Sequence, residues 1–339
     1  MREGENMTEK TKKSSQSIWL KIINIPEITA IVPLVILIVV ASIMNPAFLR
    51  IKNLQTLCSG TVGSWGLFAI GQAFIIIAGE INLALGAEMA FSGVLFSYCL
   101  LNGWSLLPAI LVCFAVTFTC ELINSFVVLK LNVPVFIATL GMQFICKGMA
   151  KVVNYGAVVT MYNTNDLTRN FCDTLSKKPL GLGISFWVFL LFAIAASIVL
   201  TKTAFGRKLL AVGDNKVVAK ASGIDVPKVK FFCFMFCALL VGICAILWSG
   251  NNMGCNVTHG IGWEFISVAA CALGGVSLVG GRGTILGVFI GIMTMAVIYN
   301  VIVLLSINVN FQNIFIGLFL AFAVIFDVIR REKTLGKNI

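Results

Sequence analysis

KTAFGRKLLAVGDNKVVAKASGIDVPKVK, residues 202–230, is the longest charged interruption between two strongly apolar halves. Seven basic residues (Lys202, Arg207, Lys208, Lys216, Lys220, Lys228, Lys230) stand against Asp214 and Asp225. Positive charge near the ends of membrane spans resists translocation, so a loop this basic belongs on the cytoplasmic side. The loop also has local order. Asp214 is placed to cap a helix, Lys216 and Lys220 lie one turn apart, Val217, Val218 and Ala221 share a face, and Gly223 supplies a left-handed stop. The pattern predicts a short amphipathic helix over 214–223, outside the bilayer. Its small apolar face either meets a partner or is simply solvated.

Either side of this loop the chain is strongly apolar. Of 339 residues 59% are hydrophobic and 12% charged, with mean hydropathy +0.98; a soluble domain carries about 25% charged residues. This is the composition of an all-α polytopic membrane protein. The net charge of +11 is then no sign of nucleic acid. Most of it lies in the two tails and the 202–230 loop, as inside-positive topology requires. Nine of the eleven cysteines fall in apolar spans, where free Cys is a small hydrophobe, and no C-x-x-C pair suggests zinc. Cys172 and Cys255 fall in loops on the far side, either bridged or free.

About ten transmembrane helices are expected, near 28–48, 53–79, 82–101, 105–129, 134–153, 182–201, 229–249, 262–276, 284–306 and 310–328. They make one transmembrane domain, 28–328, between a cytoplasmic tail over 1–27 and another over 329–339. Ten spans place both tails and the loop on one side, which also receives Lys130 and Arg282. The second span is rich in small residues (Gly60, Gly63, Ser64, Gly66, Gly71), as expected of a closely packed helix. A weak internal repeat relates AGEINLALGAEMAFSGVLF (78–96) to LGGVSLVGGRGTILGVFIG (273–291), pairing Asn82-Leu83 with Ser277-Leu278. Both breaks face the same side in this topology. Broken helices at matching places mark a translocation pathway, or both are glycine-rich turns.

No phosphate-cradling GxxxxGK[ST] and no catalytic constellation is visible; the single His259 reads as solvent-facing. Ionisable groups in spans carry more information, since each costs about 2.5–3.5 kcal/mol at a helix centre. Glu88 and Glu121 are deepest, with Asn124 one turn from Glu121. Lys147, Lys151, Glu264 and Asp327 lie nearer span ends, where they can snorkel. The deep groups either line a polar path or hydrogen-bond between helices.

GEINLALG (79–86), INSFVVLKLNVPVFIATLGM (123–142), TAFGRKLLAVGDNKVVAKASGI (203–224) and LGGVSLVGGRGTILGVFIG (273–291) together resemble the permease subunits of bacterial ATP-binding-cassette importers of the ribose/simple-sugar type. That group includes autoinducer-2 permeases and, more distantly, branched-chain amino-acid permeases. The resemblance covers nearly the whole chain from the first span onward. It implies a bacterial inner-membrane protein with both termini cytoplasmic. It implies pairing with a second permease subunit, driving by a separate cytoplasmic ATPase that holds the ATP and magnesium, and supply by an extracytoplasmic solute-binding protein. This chain would then bind no cofactor or metal, hold no catalytic residue, and contact membrane lipid rather than nucleic acid. The solute implied is small and polar, a monosaccharide such as ribose. On the same analogy 202–230 is a coupling loop, with Phe205, Gly206, Arg207, Ala211, Val212, Gly213, Asp214, Val217, Val218, Ala221 and Gly223 meeting the ATPase. Asn82, Glu88, Glu121, Asn124 and Ser277 are pathway or gate candidates. The family more often carries Asp where this chain has Asn82, a departure that removes a charge. Two other readings of the chain stand: a secondary transporter using an ion gradient through Glu88 or Glu121, and a non-transporting scaffold whose basic loop recruits a soluble protein.

Overall fold

The computed structural model describes residues 26–162 and 164–307, with isolated helical positions between 311 and 325. The spans expected from apolar length are there as helices: α1 (Pro26–Met44), α2 (Ile51–Ile77), α3 (Leu85–Leu101), α4 (Leu106–Lys130) and α5 (Val135–Val153) in the first half. The second half adds α7 (Ile184–Lys202), α10 (Val226–Asn251), α11 (Trp263–Leu273) and α12 (Ile285–Leu304). Six of these are long and apolar enough to cross a membrane; Ala30–Met44, α3 and α11 are shorter apolar helices. Most of the expected tenth span (310–328), Asp327, the C-terminal tail and nearly all of the N-terminal tail lie outside the described residues.

The core is built on α2. Every side chain from Gly63 to Ile77 is buried, and α10, α11, α7 and α12 pack around it. Small residues allow this closeness, as expected. A Cβ on Gly66 would lie 2.4 Å from the Phe189 ring, and one on Gly63 would lie 2.8 Å from the backbone of Phe186. Gly60 is different, with nothing within 4 Å. It sits in a π-helical turn, Leu57–Val62, that widens α2 near its start. The faces of α4, α5 and α7 turned from the core carry exposed Leu111, Phe126, Phe144 and Leu191, the surface lipid or another subunit covers in a membrane protein.

The polar stretch read as a loop over 154–181 contains a helix, α6 (Asp166–Ser176), opened by a capping box between Asn165 and Thr168. Cys172 therefore sits buried on a helix rather than in a loop, while Cys255 lies on a two-residue strand, β2 (Gly254–Cys255), antiparallel to β1 (Val159–Thr160). Both thiols are free.

Candidate functional site

The two breaks begin with the same helix end. After α2, Gly79 (φ +81°) donates its amide to Ile76 O and Glu80 N donates to Ile75 O. After α11, Gly275 (φ +81°) donates to Ala272 O and Val276 N to Cys271 O. This is the glycine-stopped cap in which a left-handed residue closes the last turn. The weak repeat is thus a repeat of backbone geometry, with Gly79 matching Gly275. That is one residue out of the register that pairs Asn82-Leu83 with Ser277-Leu278. The breaks then diverge, resuming helix at Leu85 and at Ile285. They lie at the same end of the bundle, because Gly281 N donates to Ile77 O at 2.9 Å.

The basic segment packs onto both breaks. It forms two helices rather than one over 214–223: α8 (Ala204–Asp214), capped by the Thr203 hydroxyl, and α9 (Lys216–Ala221). The N-cap of α9 is Asn215, whose side chain accepts from Val217 N and Val218 N. Asp214 instead ends α8, whose last turn is committed to the junction. A Cβ on Gly213 would sit 1.7 Å from Ile77 O and 2.4 Å from Gly281 N, so only hydrogen fits there. Gly280 lies against Gly79 and Gly213, and Gly281 against Asp214. Three stretches far apart in sequence therefore touch backbone to backbone.

Charge reinforces this contact. The Glu80 carboxylate, in the first break, pairs with Lys216 of α9 at 2.8 Å and with Lys230 of α10. Burial alone would raise the Glu80 pKa, but hydrogen bonds from the two ammonium groups hold it below the ordinary value. Those bonds and the carboxylate's charge hold the Lys216 pKa up, against the burial that would lower it.

The expected coupling residues divide into two sets. Gly206 and Val212 are buried, Ala211 and Gly213 half-buried, and Phe205 packs edge-on against Phe232 at 6.1 Å. These face the bundle. Arg207, Asp214, Val217, Val218, Ala221 and Gly223 are exposed, with Val217 at 78% and only Ala219 of α9 turned inward. The apolar face of α9 is thus presented outward, and Gly223 (φ +80°) ends the helix as read.

Four of the five pathway candidates meet in one buried cluster. Asn82 Nδ2 donates to Glu121 Oε1, and Asn82 Oδ1 accepts from Ala84 N at 2.9 Å. Asn124 Nδ2 donates to Glu88 Oε1 at 3.2 Å and to Glu121 Oε2 at 3.3 Å. All four side chains are buried. Around them Thr139 accepts from Leu83 N, and the Gln72 amide, turned to face Asn82, bonds both of its backbone groups at 3.2 Å. Side chains from α2 and α5, with that of Asn82 itself, thus take over hydrogen bonds that the broken backbone forfeits, while Glu121 of α4 anchors the Asn82 amide. In this conformation the cluster holds the first break. Ser277 stands apart in the second break, where its amide donates to Arg282 O and its carbonyl accepts from Gly280 N.

Sequence reasoning missed Glu80 with its lysine partners, Gln72, Thr139 and the pair formed by Gln143 and Glu264. Glu264 does not snorkel; it is buried and accepts from Gln143 Nε2 at 2.9 Å. The signal available for Glu80 was a lone acid beside a break that faces a basic loop. Among the described residues, no cluster of His, Cys, Asp and Glu is placed to hold a metal ion.

The family described as branched-chain amino acid transport system / permease component matches residues 58–324, a span that holds both breaks and the basic segment. The chain belongs to this permease family. Among curated relatives, the permease is 31% identical over 294 residues to the ribose import permease protein RbsC of Bacillus subtilis, covering 87% of this chain and 90% of that one. It is 29% identical over 300 residues to RbsC of Escherichia coli, covering 88% and 92%. It is 28% identical over 298 residues to the L-arabinose ABC transporter permease protein AraH of Azospirillum brasilense, covering 88% and 86%. No solved structure matches it.

Proposed function

We propose that this permease is the membrane-spanning subunit of an ATP-driven importer that carries a monosaccharide inward, the exposed face of α9 being the surface on which a separate cytoplasmic ATPase pulls. The observation that carries this reading is the seating of Gly213 between Ile77 and Gly281. Any displacement of α8 reaches the ends of both breaks without a side chain between to absorb it. The relatives named for ribose and arabinose support the sugar. ATP and magnesium belong to the ATPase, and a solute-binding protein delivers cargo at the opposite face. A second permease subunit completes the pathway, and the 1–27 and 329–339 tails lie on the cytoplasmic side with α9.

The test is uptake into vesicles holding this chain with its ATPase and binding protein. Radiolabelled ribose or arabinose accumulates only with ATP. It stops when the ATPase is inactivated, and also with Gly206→Asp, Ala211→Asp or Val217→Asp. Accumulation that survives loss of the ATPase and collapses with a proton ionophore would instead assign the work to an ion gradient through Glu88 or Glu121. Capture of the ATPase without any solute flux would leave a scaffold.

A further inference from the structure

We propose that the cavity at the end of the bundle opposite the basic segment binds a single sugar ring, which deepens the transport reading and rests on it for the class of cargo. The cavity measures about 610 Å³ and opens between the start of α2, the α6–α7 turn, the end of α10, the 258–263 loop and Tyr299 of α12. Helices α7 and α10 each run from this end to the basic segment, so the site and the coupling surface lie a full span apart.

Its wall is aromatic. Trp65, Trp248, Trp263 and Tyr299 line it. They interlock edge to face, with Trp65–Tyr299 at 5.2 Å, Trp65–Trp263 at 6.2 Å and Trp248–Trp263 at 4.6 Å. Such contacts fix the ring orientations before any ligand arrives, which lowers the ordering cost of binding. The C–H face of a sugar carries partial positive charge and complements the negative face of an aromatic ring. The same wall carries Ser59, Thr61, Ser64, Asn251 and Asn252, whose hydroxyls and amides can both donate and accept. Such groups match the hydroxyls of a sugar, which likewise donate and accept.

The charges in the wall select against an amino acid. Among the described residues, Lys178 and His259 are its only titratable side chains besides Tyr299, and no Asp or Glu lines it. A zwitterion would bring an ammonium group with no carboxylate to meet it, whereas a neutral polyol brings no charge and leaves the exposed Lys178 solvated. His259, expected to face solvent, is half-buried with its ring against Trp248 at 5.6 Å.

The full-length chain in lipid nanodiscs, carrying 5-fluorotryptophan, is titrated by 19F NMR with D-ribose, L-arabinose, D-glucose and L-leucine. Trp248→Phe and Trp263→Phe assign the two resonances. A saturable shift of both with at least one sugar, and none with leucine, is expected. Trp248→Phe replaces the indole with a smaller ring and removes part of the aromatic wall, so it should weaken sugar binding about three- to tenfold, read on Trp263. Silence with every sugar, or an equal response to leucine, overturns the site. Uptake separates the two readings: sugar uptake with silent resonances refutes the cavity alone. Shifts without uptake of any sugar support the cavity and refute the transport reading. The absence of both refutes both.

Discussion

The two ends of this bundle are built from opposite materials. At the basic-segment end, glycines bring three backbones within contact and one carboxylate gathers two lysines. At the other end, indole and phenol rings surround about 610 Å³ of open space. Close-packed backbone has no rotamers with which to yield, so a push there is transmitted; packed elements switch between discrete arrangements rather than deform continuously. A cavity walled by side chains can adjust to a ligand. The difference suggests a transmitting end and a receiving end, and each substitution below asks whether that division is real.

The largest effect should come from Gly213→Val, which forces carbon into the Ile77 carbonyl and the Gly281 amide. Overpacking of this kind costs about 1–3 kcal/mol, occasionally more, and the absence of any flexible neighbour puts this site at the top of that range. Thermal unfolding in nanodiscs should show the loss, and uptake should fall to background. Gly148→Ala is the control: nothing lies within 4 Å of that position. If both variants behave alike, the junction carries no strain. Val217→Asp is the complementary probe. Its side chain is 78% exposed, so stability should change by no more than about 0.5 kcal/mol. ATPase binding should nevertheless weaken about tenfold or more if Val217 is a contact centre. Unchanged affinity would remove α9 from the interface.

How much of this was legible follows from what is local. Apolar runs long enough to span a bilayer announce themselves, and the described helices fall close to the stretches read for them. The outward face of α9 was legible because Val217, Val218 and Ala221 repeat within one turn. Its cap was not. Asp214 and Asn215 are equally good cap residues by type, and the choice was made by α8 continuing through Gly213 to reach Ile77, a tertiary demand with no local mark. The Glu80–Lys230 pair joins residues 150 apart. Likewise, Glu88, Glu121 and Asn124 stood out as costly groups, yet nothing in spacing said that Asn82 donates to Glu121. That contact gives the departure from Asp a physical sense, since Asp there would set two carboxylates against each other without a donor. Asn82→Asp should therefore destabilise the fold by about 1–3 kcal/mol, and Glu121→Gln in the same chain should recover part of it.

Glu80→Gln comes next. It leaves Lys230, whose side chain is only 9% exposed, without its carboxylate. Breaking a fully buried pair costs about 3–5 kcal/mol; with Lys216 half-exposed and screened, about 1–2 kcal/mol is expected. Adding Lys230→Met should return most of it, which a double-mutant cycle would read. The same carboxylate sets a pH limit. Its folded value lies below the ordinary 4.5, so its stabilisation is fully present above 4.5 and fades as the pH falls through the folded value.

The smallest effect separates the two ends by pH. Burial pushes the His259 pKa below the ordinary 6.5, so the unfolded chain takes up a proton before the folded one does. Stability at the cavity end should therefore decline as the pH drops below 6.5, while Glu80 is still ionised and the junction intact. Protonation also removes the acceptor that His259 Nδ1 offers to Asn256 N at 3.2 Å. Because the ring is only half-buried, the loss should stay under about 1 kcal/mol. Melting temperature followed from pH 7.5 down to about 5.5 should fall for the native chain and flatten for His259→Gln. The Glu80→Gln variant should run parallel to the native curve throughout that window. Were it to diverge there, the junction would be titrating with the cavity, and the two ends could not be the independent structures that their materials suggest.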